Sequence, residues 1–571
     1  MDRKLRGAFL RAVLQISACV IVIAMTNMEV PDRVRLLVHQ GRFGVLATTA
    51  VLWLIGLVAI ASALSLKRPW LRWFWAVILA AGGAIAWGYK HASGGEISVF
   101  DILGLWEARH EAGNAYAIYG NTIRNGLILF VLGIAVFGLG FVSRWLDWRR
   151  LGALRAVLPA LPIILIAAVV LSKEGNGHYA MPKQFSQWSL GSLVFAKQIL
   201  RPTPVHGEVA WKAGPGMEKI LFIVDESLRA DYVKSIPGNS ETPHFAEFAK
   251  QMVDFGPAAS GGICSSYANA TLRFMASRAD MGGGINADPP IWKYAKAAGY
   301  RTVYIDAQAY TIHNESHLQN FMTAKELKSI DTFYPLLNIK AEEADRKVLD
   351  ILADEMSKPG KVFILANKQG AHFPYDIDYP HAAAPYHPTQ TEDGGIHLEA
   401  MLNSYRNAIH ANVDGFFEEF PKRVPLANAA MIYTSDHGQY FHPGRLTHCR
   451  SFDANPEMAL VPLYAMSSDP AEQQALQQGA ALLQGKASHF QIASTVLSWM
   501  GYVEADLATH YHESLTAGTG EAPAFTIGDI FGLFSSKVNW LPIDLNRNYR
   551  DDEAKLISQG GGEVGLASAA Q

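Results

Sequence analysis

Apolar residues are unevenly spread along this chain. Before residue 175 they run in long blocks; after residue 218 they come in short runs set between polar stretches of helical period. Five early segments, Ala8 to Met25, Gly44 to Leu64, Trp70 to Gly88, Gly126 to Val142 and Leu151 to Leu171, are apolar on all sides, and each is close to the ~20 residues a helix needs to cross a bilayer. No small-residue cleavage site follows the first, so it reads as a retained anchor. From Lys219 the pattern changes. Runs rich in Val, Ile and Tyr predict strands at Lys219 to Val224, Thr302 to Ile305, Val362 to Leu365, Met431 to Thr434 and Val461 to Ala465. Between them, helical periodicity marks Pro243 to Met252, Ile291 to Ala298, Ala341 to Met356, His397 to Glu419 and Ala471 to Leu483. Such alternation implies an α/β domain with a doubly wound, mostly parallel sheet and helices on both faces.

This divides the chain into a five-helix transmembrane module at 1–172, a juxtamembrane linker at 173–216 with a short helix near Leu190 to Ile199, a globular domain at 217–545 and a tail at 546–571. Lys and Arg in the short loops, among them Arg3, Lys4, Arg6, Lys67, Arg68, Arg149 and Arg150, place the amino terminus inside. An odd number of spans then delivers the globular domain to the outer side. Trp70, Trp73, Trp87, Tyr89, Trp145 and Trp148 stand where interfacial belts form.

Composition adds two exclusions. The net charge of -3, with no basic stripe, gives no footprint for nucleic acid. With three cysteines and Cys19 inside an apolar run, there is no disulfide framework. The loop from Lys90 to Arg124 carries Glu107, Glu111 and Asn114 among aromatics. These are candidates for holding a zwitterionic lipid head group; the alternative is an interfacial helix with a solvated polar face.

In a parallel sheet, ligands bind beyond the carboxyl ends of the strands. Three of the expected strand ends carry unusual residues: Asp225-Glu226-Ser227-Leu228-Arg229-Ala230-Asp231, Asn367-Lys368-Gln369-Gly370-Ala371-His372, and Ser435-Asp436-His437-Gly438. Carboxylate and imidazole are good zinc ligands, and an open catalytic ion suits them better than a structural site, which would more often use several cysteines. Between the first two strands lies Gly261-Gly262-Ile263-Cys264-Ser265-Ser266-Tyr267, glycines and hydroxyls opening a helical run. A hydroxyl at a helix amino terminus faces free N–H groups that favour an alkoxide and a phosphate; the alternative is an ordinary Ser cap.

Taken in order, Glu226-x-x-Arg229-Ala230-Asp231, a hydroxyl at a helix start, Gly370-x-His372-x-Pro374 and Ser435-Asp436-His437-Gly438 resemble the membrane phosphoethanolamine transferases and the related lipoteichoic acid synthases. Thr242-Pro243-His244-Phe245 and Tyr405-Arg406-Asn407-Ala408-Ile409 are similar to connecting helices of that superfamily. The resemblance implies a fold like that of alkaline phosphatase and the sulfatases, five amino-terminal spans in a bacterial cytoplasmic (inner) membrane, and a catalytic domain in the periplasm. It implies zinc, with manganese or another divalent ion as an alternative, held by Glu226, Asp436, His437 and a hydroxyl. Ser266 is chosen for that hydroxyl and as nucleophile, because it lies forty residues after Glu226 and eight before Phe274; Ser265 and, less well placed, Thr271 are its competitors. The family usually has Thr there.

By the same resemblance, His372 and His448 match substrate-side histidines, and Asn367 stands where many of these transferases carry a further histidine. Asn367 and Lys368 join the substrate-binding candidates. Family disulfides include one bracketing the nucleophile, which this chain cannot form. Cys264 and Cys449 both flank site residues, and either a disulfide between them or two free thiols fits the sequence. The implied partners are a phospholipid donor in the membrane, a glycan, lipid A-like or polysaccharide acceptor, and other envelope-synthesis proteins. The expected reaction moves phosphoethanolamine through a phosphoserine. Transfer of phosphoglycerol is the alternative within the class, and a non-catalytic envelope-assembly scaffold is the alternative outside it.

Overall fold

In lipid an apolar block can satisfy its backbone only as a helix, and the early part of the chain follows that rule. The computed structural model describes residues 3–107, 109, 112–139, 154–200, 205–233, 240–309, 322–394, 397–443, 445–450, 454–534 and 538–559. The chain forms two units, one of Met1–Arg201 with Leu533–Ser535, the other of Pro202–Gly532 with Ser536–Val564.

Among the described residues of the first unit, four helices are long and apolar enough to cross a membrane: Phe9–Thr26, Phe43–Leu64, Pro69–Ser93 and Tyr119–Gly138. The fifth expected span is shorter. Pro159 and Pro162 break its start into a 3-10 turn at Leu158–Ala160 followed by a helix at Leu161–Ser172, so that its apolar helical length is Leu158–Ser172. Residues 140–153, where the fourth and fifth expected spans meet, lie outside the described residues. The linker expected at 173–216 divides between the units. Its helix is longer than expected, Lys183–Leu200, with Phe185, Leu190, Leu193 and Val194 buried.

In the second unit seven strands form one sheet: β1 (Lys219–Asp225), β2 (Val253–Ala259), β3 (Arg301–Asp306), β4 (Thr332–Pro335), β5 (Val362–Asn367), β6 (Ala429–Ser435) and β7 (Leu460–Ser467). Their order is β2-β7-β6-β1-β5-β3-β4. β6, β1, β5, β3 and β4 are mutually parallel, whereas β7 runs antiparallel to β6 and β2 antiparallel to β7. Alternating residues of the central strands enter two separate cores. Leu221, Ile223, Ile364, Ala366, Met431 and Tyr433 face one; Ile220, Phe222, Phe363, Leu365, Ala430 and Ile432 face the other. That explains why β1, β5 and β6 read as unbroken apolar runs: both faces are covered. Each fully buried Ile, Leu or Phe among them is worth about 1.5–3 kcal/mol over exposure.

The helix expected at His397 to Glu419 is three pieces: Leu398–Ile409, a π-helical turn at His410–Asp414, and Gly415–Arg423. A two-stranded ladder, β8 (Ala524–Gly528) and β9 (Val538–Pro542), follows. Part of the expected tail is ordered as a helix, Arg550–Ser558, whose Glu553 is buried.

Candidate active site

β1, β5 and β6 lie side by side, and their carboxyl ends deliver the three unusual segments to one edge. Asp436 N donates to the Asp225 carbonyl at 2.9 Å, joining the loops after β1 and β6. Ser435 Oγ accepts from Leu228 N at 2.8 Å and donates to the Asp225 carbonyl at 3.1 Å. The turn after Glu226 is tight: Ser227 sits at φ +60°, a left-handed conformation that non-glycine residues rarely adopt and that clusters at functional sites. From there its N–H reaches Asp436 Oδ1 at 3.0 Å and its hydroxyl donates to Glu226 Oε1 at 2.8 Å. Two glycines are required sterically. A Cβ on Gly370 (φ +59°) would meet Asp225 Oδ1 at 2.5 Å, and one on Gly438 would meet the Glu457 carbonyl at 2.3 Å.

Glu226, Asp436 and His437 are all buried, with one ligand atom of each inside a 4.8 Å circle. His437 Nε2 stands 3.4 Å from Glu226 Oε1 and 3.7 Å from Asp436 Oδ2. His437 Nδ1 is 2.8 Å from the Gly438 carbonyl, to which it donates when Nε2 is left as the lone-pair nitrogen. The outward oxygens of the carboxylates are spoken for. Asp436 Oδ1 accepts from Ser227 N and, at 2.6 Å, from His437 N; Glu226 Oε2 accepts from Gln308 Nε2 at 2.8 Å. The inward Asp436 Oδ2 is buried with no hydrogen-bond partner.

The hydroxyl that joins this cluster belongs to Ser265. Its Oγ donates to Glu226 Oε1 at 3.0 Å and lies 3.2 Å from His437 Nε2. Ser265, the alternative for this position, rather than Ser266 therefore lies against the cluster. Ser265 opens the Ser265–Arg273 helix, and the next residue is turned about 100° around the helix axis. Thr271 is directed elsewhere, its hydroxyl donating to the Tyr267 carbonyl at 2.9 Å.

A tetrahedral zinc with bonds of 2.0–2.1 Å needs ligand atoms about 3.3 Å apart. Ser265 Oγ to Glu226 Oε1 and His437 Nε2, and His437 Nε2 to Glu226 Oε1 and Asp436 Oδ2, are separations of 3.0 to 3.7 Å that fit that, and the orphaned Asp436 oxygen asks for a cation. Electrostatics agree. Burial opposes a charge on His437, but Asp436 and Glu226 outweigh it and lift the imidazole to about 9. Burial likewise disfavours the Glu226 carboxylate, yet its hydrogen bond to His437 and the charges of His437 and His372 hold it well below the usual range. Burial and the charge of Glu226 push Asp436 well up. A proton is thus kept in the cluster that a divalent cation would displace.

His448 stacks on His437, ring centroids 4.7 Å apart, and burial together with the His437 charge pushes it down to about 3, so it is neutral. His372 follows Ala371, whose N–H donates to the Glu226 carbonyl at 3.1 Å, and His372 Nδ1 is buried without a partner. Asn367 is buried, its amide nitrogen on the Tyr304 hydroxyl at 3.1 Å. Lys368, a substrate-binding candidate, is engaged by carboxylates of the fold. Its fully buried ammonium lies 2.8 Å from Asp225 Oδ2, 3.4 Å from Asp345 Oδ2 and 3.0 Å from the Asn412 carbonyl, holding the β1 and β5 loops together from beneath. The side chains of Glu107 and Asn114, and the whole of Glu111, lie outside the described residues.

Sequence reasoning missed several supports. Gln308 binds Glu226 Oε2 and the Lys368 carbonyl, both at 2.8 Å. It follows β3, a strand end at the same sheet edge, and that position was its available signal. Arg229 reaches Asp231 at 2.6 Å, Glu553 at 2.5 Å and the Gln439 carbonyl at 3.1 Å. His489 links Gly261 N at 3.3 Å to Thr434 Oγ1 at 3.2 Å. No local pattern announces Glu553 or His489.

Comparisons with known proteins give the family of this domain. Residues 218–502 match the model of the Sulfatase family. The chain is 26% identical to the Kdo(2)-lipid A phosphoethanolamine 7''-transferase of Escherichia coli K12 over 314 residues, 50% of this chain and 52% of that protein. It is also 26% identical to the enzyme of the same name from Salmonella typhimurium over 434 residues, 71% of this chain and 73% of that one. The matched region thus spans about half of the first relative and nearly three quarters of the second. Among solved structures, the integral membrane lipooligosaccharide phosphoethanolamine transferase A (EptA) from Neisseria meningitidis shares the fold, with a TM-score of 0.54 at 17% identity over 76% of this chain and 85% of that one. The domain that carries the Glu226, Asp436 and His437 cluster therefore belongs to the sulfatase family of the alkaline phosphatase superfamily, here in a chain that begins with apolar helices of membrane-spanning length.

Proposed function

We propose that this protein transfers phosphoethanolamine from phosphatidylethanolamine to a hydroxyl of an envelope glycolipid, with Ser265 as the nucleophile. The observation that carries the reading is the Ser265 hydroxyl, on the first turn of a helix and within 3.0 and 3.2 Å of two members of a buried carboxylate–imidazole cluster. The 26% identity to lipid A phosphoethanolamine transferases supports the donor and acceptor classes. The chain lies in the bacterial inner membrane, with five spans and its sulfatase domain in the periplasm.

Glu226, Asp436, His437 and Ser265 Oγ would hold zinc, which when bound supplies Lewis acidity that lowers the hydroxyl pKa and takes up phosphoryl charge. The remaining chemistry falls to the chain. Ser265 Oγ forms a bond to the donor phosphorus as the bond to diacylglycerol oxygen breaks, and that oxygen leaves with the proton that Ser265 gives up. Ser265 opens its helix, and a helix amino terminus favours an anionic phosphoryl group. His372, with its buried unpartnered Nδ1, is placed to hydrogen-bond the phosphoryl or the leaving oxygen. In the second half, an acceptor hydroxyl attacks the phosphoserine and Ser265 leaves. His448, stacked on His437, is placed to accept a hydrogen bond from the acceptor hydroxyl, whose proton passes to the departing Ser265 oxygen.

The test follows headgroup-labelled lipids in detergent micelles. Metal-loaded protein is expected to release diacylglycerol from phosphatidylethanolamine and pass the label to a lipid A-like acceptor, and chelation is expected to stop both. Release from phosphatidylglycerol alone would replace the donor. Release from neither, with no metal bound, would remove the reading in favour of a scaffold.

A further inference from the structure

Cys264 and Cys449 form a disulfide across 185 residues of sequence, with Cα atoms 4.7 Å apart. Their neighbours matter. Cys264 caps the Ser265–Arg273 helix, one residue before Ser265, and Cys449 comes one residue after His448. The backbone N–H of Cys449 also donates to the Ile263 carbonyl at 2.8 Å. One covalent bond therefore joins the segment that carries the site hydroxyl to the segment that carries the imidazole stacked on His437.

Two further hydrogen bonds near His448 lie within its own loop. Thr447 Oγ1 lies 3.0 Å from His448 Nδ1, and Tyr440 N donates to the Thr447 carbonyl at 2.7 Å. These two bonds shape the loop; the disulfide and the Cys449 N–H bond link it to the Ser265 segment. Cys449 itself sits at φ +58°, a left-handed conformation that non-glycine residues seldom take, so the backbone there is held by its tertiary links. Displacing a catalytic group by about 1 Å can cost 10²-fold in rate.

We propose that the Cys264–Cys449 disulfide is a positioning element of the transfer reaction: it keeps His448 against His437 and Ser265, and makes full activity depend on the oxidising side of the membrane. The inference rests on the reading of Ser265 and His448 given above. Forming the bond takes two electrons and two protons from the paired thiols, delivered to a thiol oxidant of the outer compartment. Dithiothreitol reverses it, giving two thiols and one cyclic disulfide of the reagent.

The experiment uses full-length, metal-loaded protein in detergent. Six samples are compared: untreated, reduced and alkylated after folding, and Cys264→Ser with Cys449→Ser, each with His448 intact and with His448→Ala. Loss of the bond is expected to lower kcat about 10- to 100-fold, with metal stoichiometry and circular dichroism unchanged. In the His448→Ala background the same loss is expected to cost less than about twofold, because the group being positioned is gone. Reduction of the folded protein serves as the second arm should the double-serine variant fail to fold. An undiminished kcat without the bond, or losses that multiply with those of His448→Ala, would overturn the tether alone. Absence of transfer by the untreated protein would overturn the reading of the site and the tether with it.

Discussion

Two buried charged clusters share one sheet edge, and they are built to opposite ends. Beneath the β1 and β5 loops, Lys368 lies between Asp225 and Asp345, with the Tyr433 hydroxyl donating to Asp225 Oδ2 at 2.7 Å and the N–H groups of Gln369 and Gly370 donating to Asp345 at 2.7 and 3.1 Å. That cluster brings its own cation and is closed. One residue along the chain, Glu226 meets Asp436 and His437 with no lysine or arginine among them, and Asp436 Oδ2 has no partner. That cluster is open, and it asks for an external cation. A buried charge is tolerable only when paired, so the closed cluster should govern stability and the open one metal binding and chemistry.

The largest effect that would sharpen this contrast is at the nucleophile. Ser265→Ala is expected to lower transfer by 10³-fold or more, about 4 kcal/mol of transition-state stabilisation, whereas Ser266→Ala should stay within about threefold; initial rates of diacylglycerol release measure both. Next comes folding. Lys368→Met leaves two carboxylates without their cation and should cost about 3–5 kcal/mol of stability in chemical denaturation of the metal-free protein. Asp436→Asn, which removes a carboxylate from the open cluster, should leave metal-free stability unchanged or raise it while abolishing the stabilisation that added zinc gives the parent. Equal losses from both substitutions would erase the distinction between the clusters.

Smaller effects concern supports and protons. Gln308→Leu releases Glu226 Oε2 from its donor and should weaken metal affinity about 10- to 100-fold in competition titrations, with the fold intact. Metal binding must also expel the proton that the cluster holds. With His437 lifted to about 9, apparent affinity should climb with pH from neutrality up to that value, and calorimetry in buffers of different ionisation enthalpy should register proton release. In the closed cluster, burial raises Asp345 to about 6, so its contribution to stability is fully present below the ordinary aspartate range and lost as pH rises through about 6. Asp345→Asn should flatten the stability profile between those limits.

The sequence displayed the open cluster better than the closed one, for a physical reason. Glu226, Asp436 and His437 each directly follow or adjoin a strand end, and β1, β5 and β6 were recognisable as apolar runs, so a local rule about sheet edges brought them together. The same rule overlooked Gln308 because only three of the strand ends were considered. Lys368 looked like a substrate group because nothing near it in sequence reveals that its partners, Asp225 and Asp345, stand 143 and 23 residues away. Ser265 and Ser266 differ only in helix phase, which depends on where the helix begins. That start follows Cys264, which makes no side-chain cap hydrogen bond, so no capping signal in the sequence marks it. β2 and β4 were not read as strands at all, and β7 runs against β6, a direction set by pairing and not by its composition.

The central claim, an open cluster that activates Ser265, is tested most directly by peptide mass mapping. Metal-loaded protein is incubated with phosphatidylethanolamine, quenched in acid, and the Gly261 to Arg273 region is sequenced by fragmentation. A phosphoethanolamine mass on Ser265, lost in Ser265→Ala and after chelation, is the expected result. The same mass on Ser266, or an adduct that survives chelation, would contradict it.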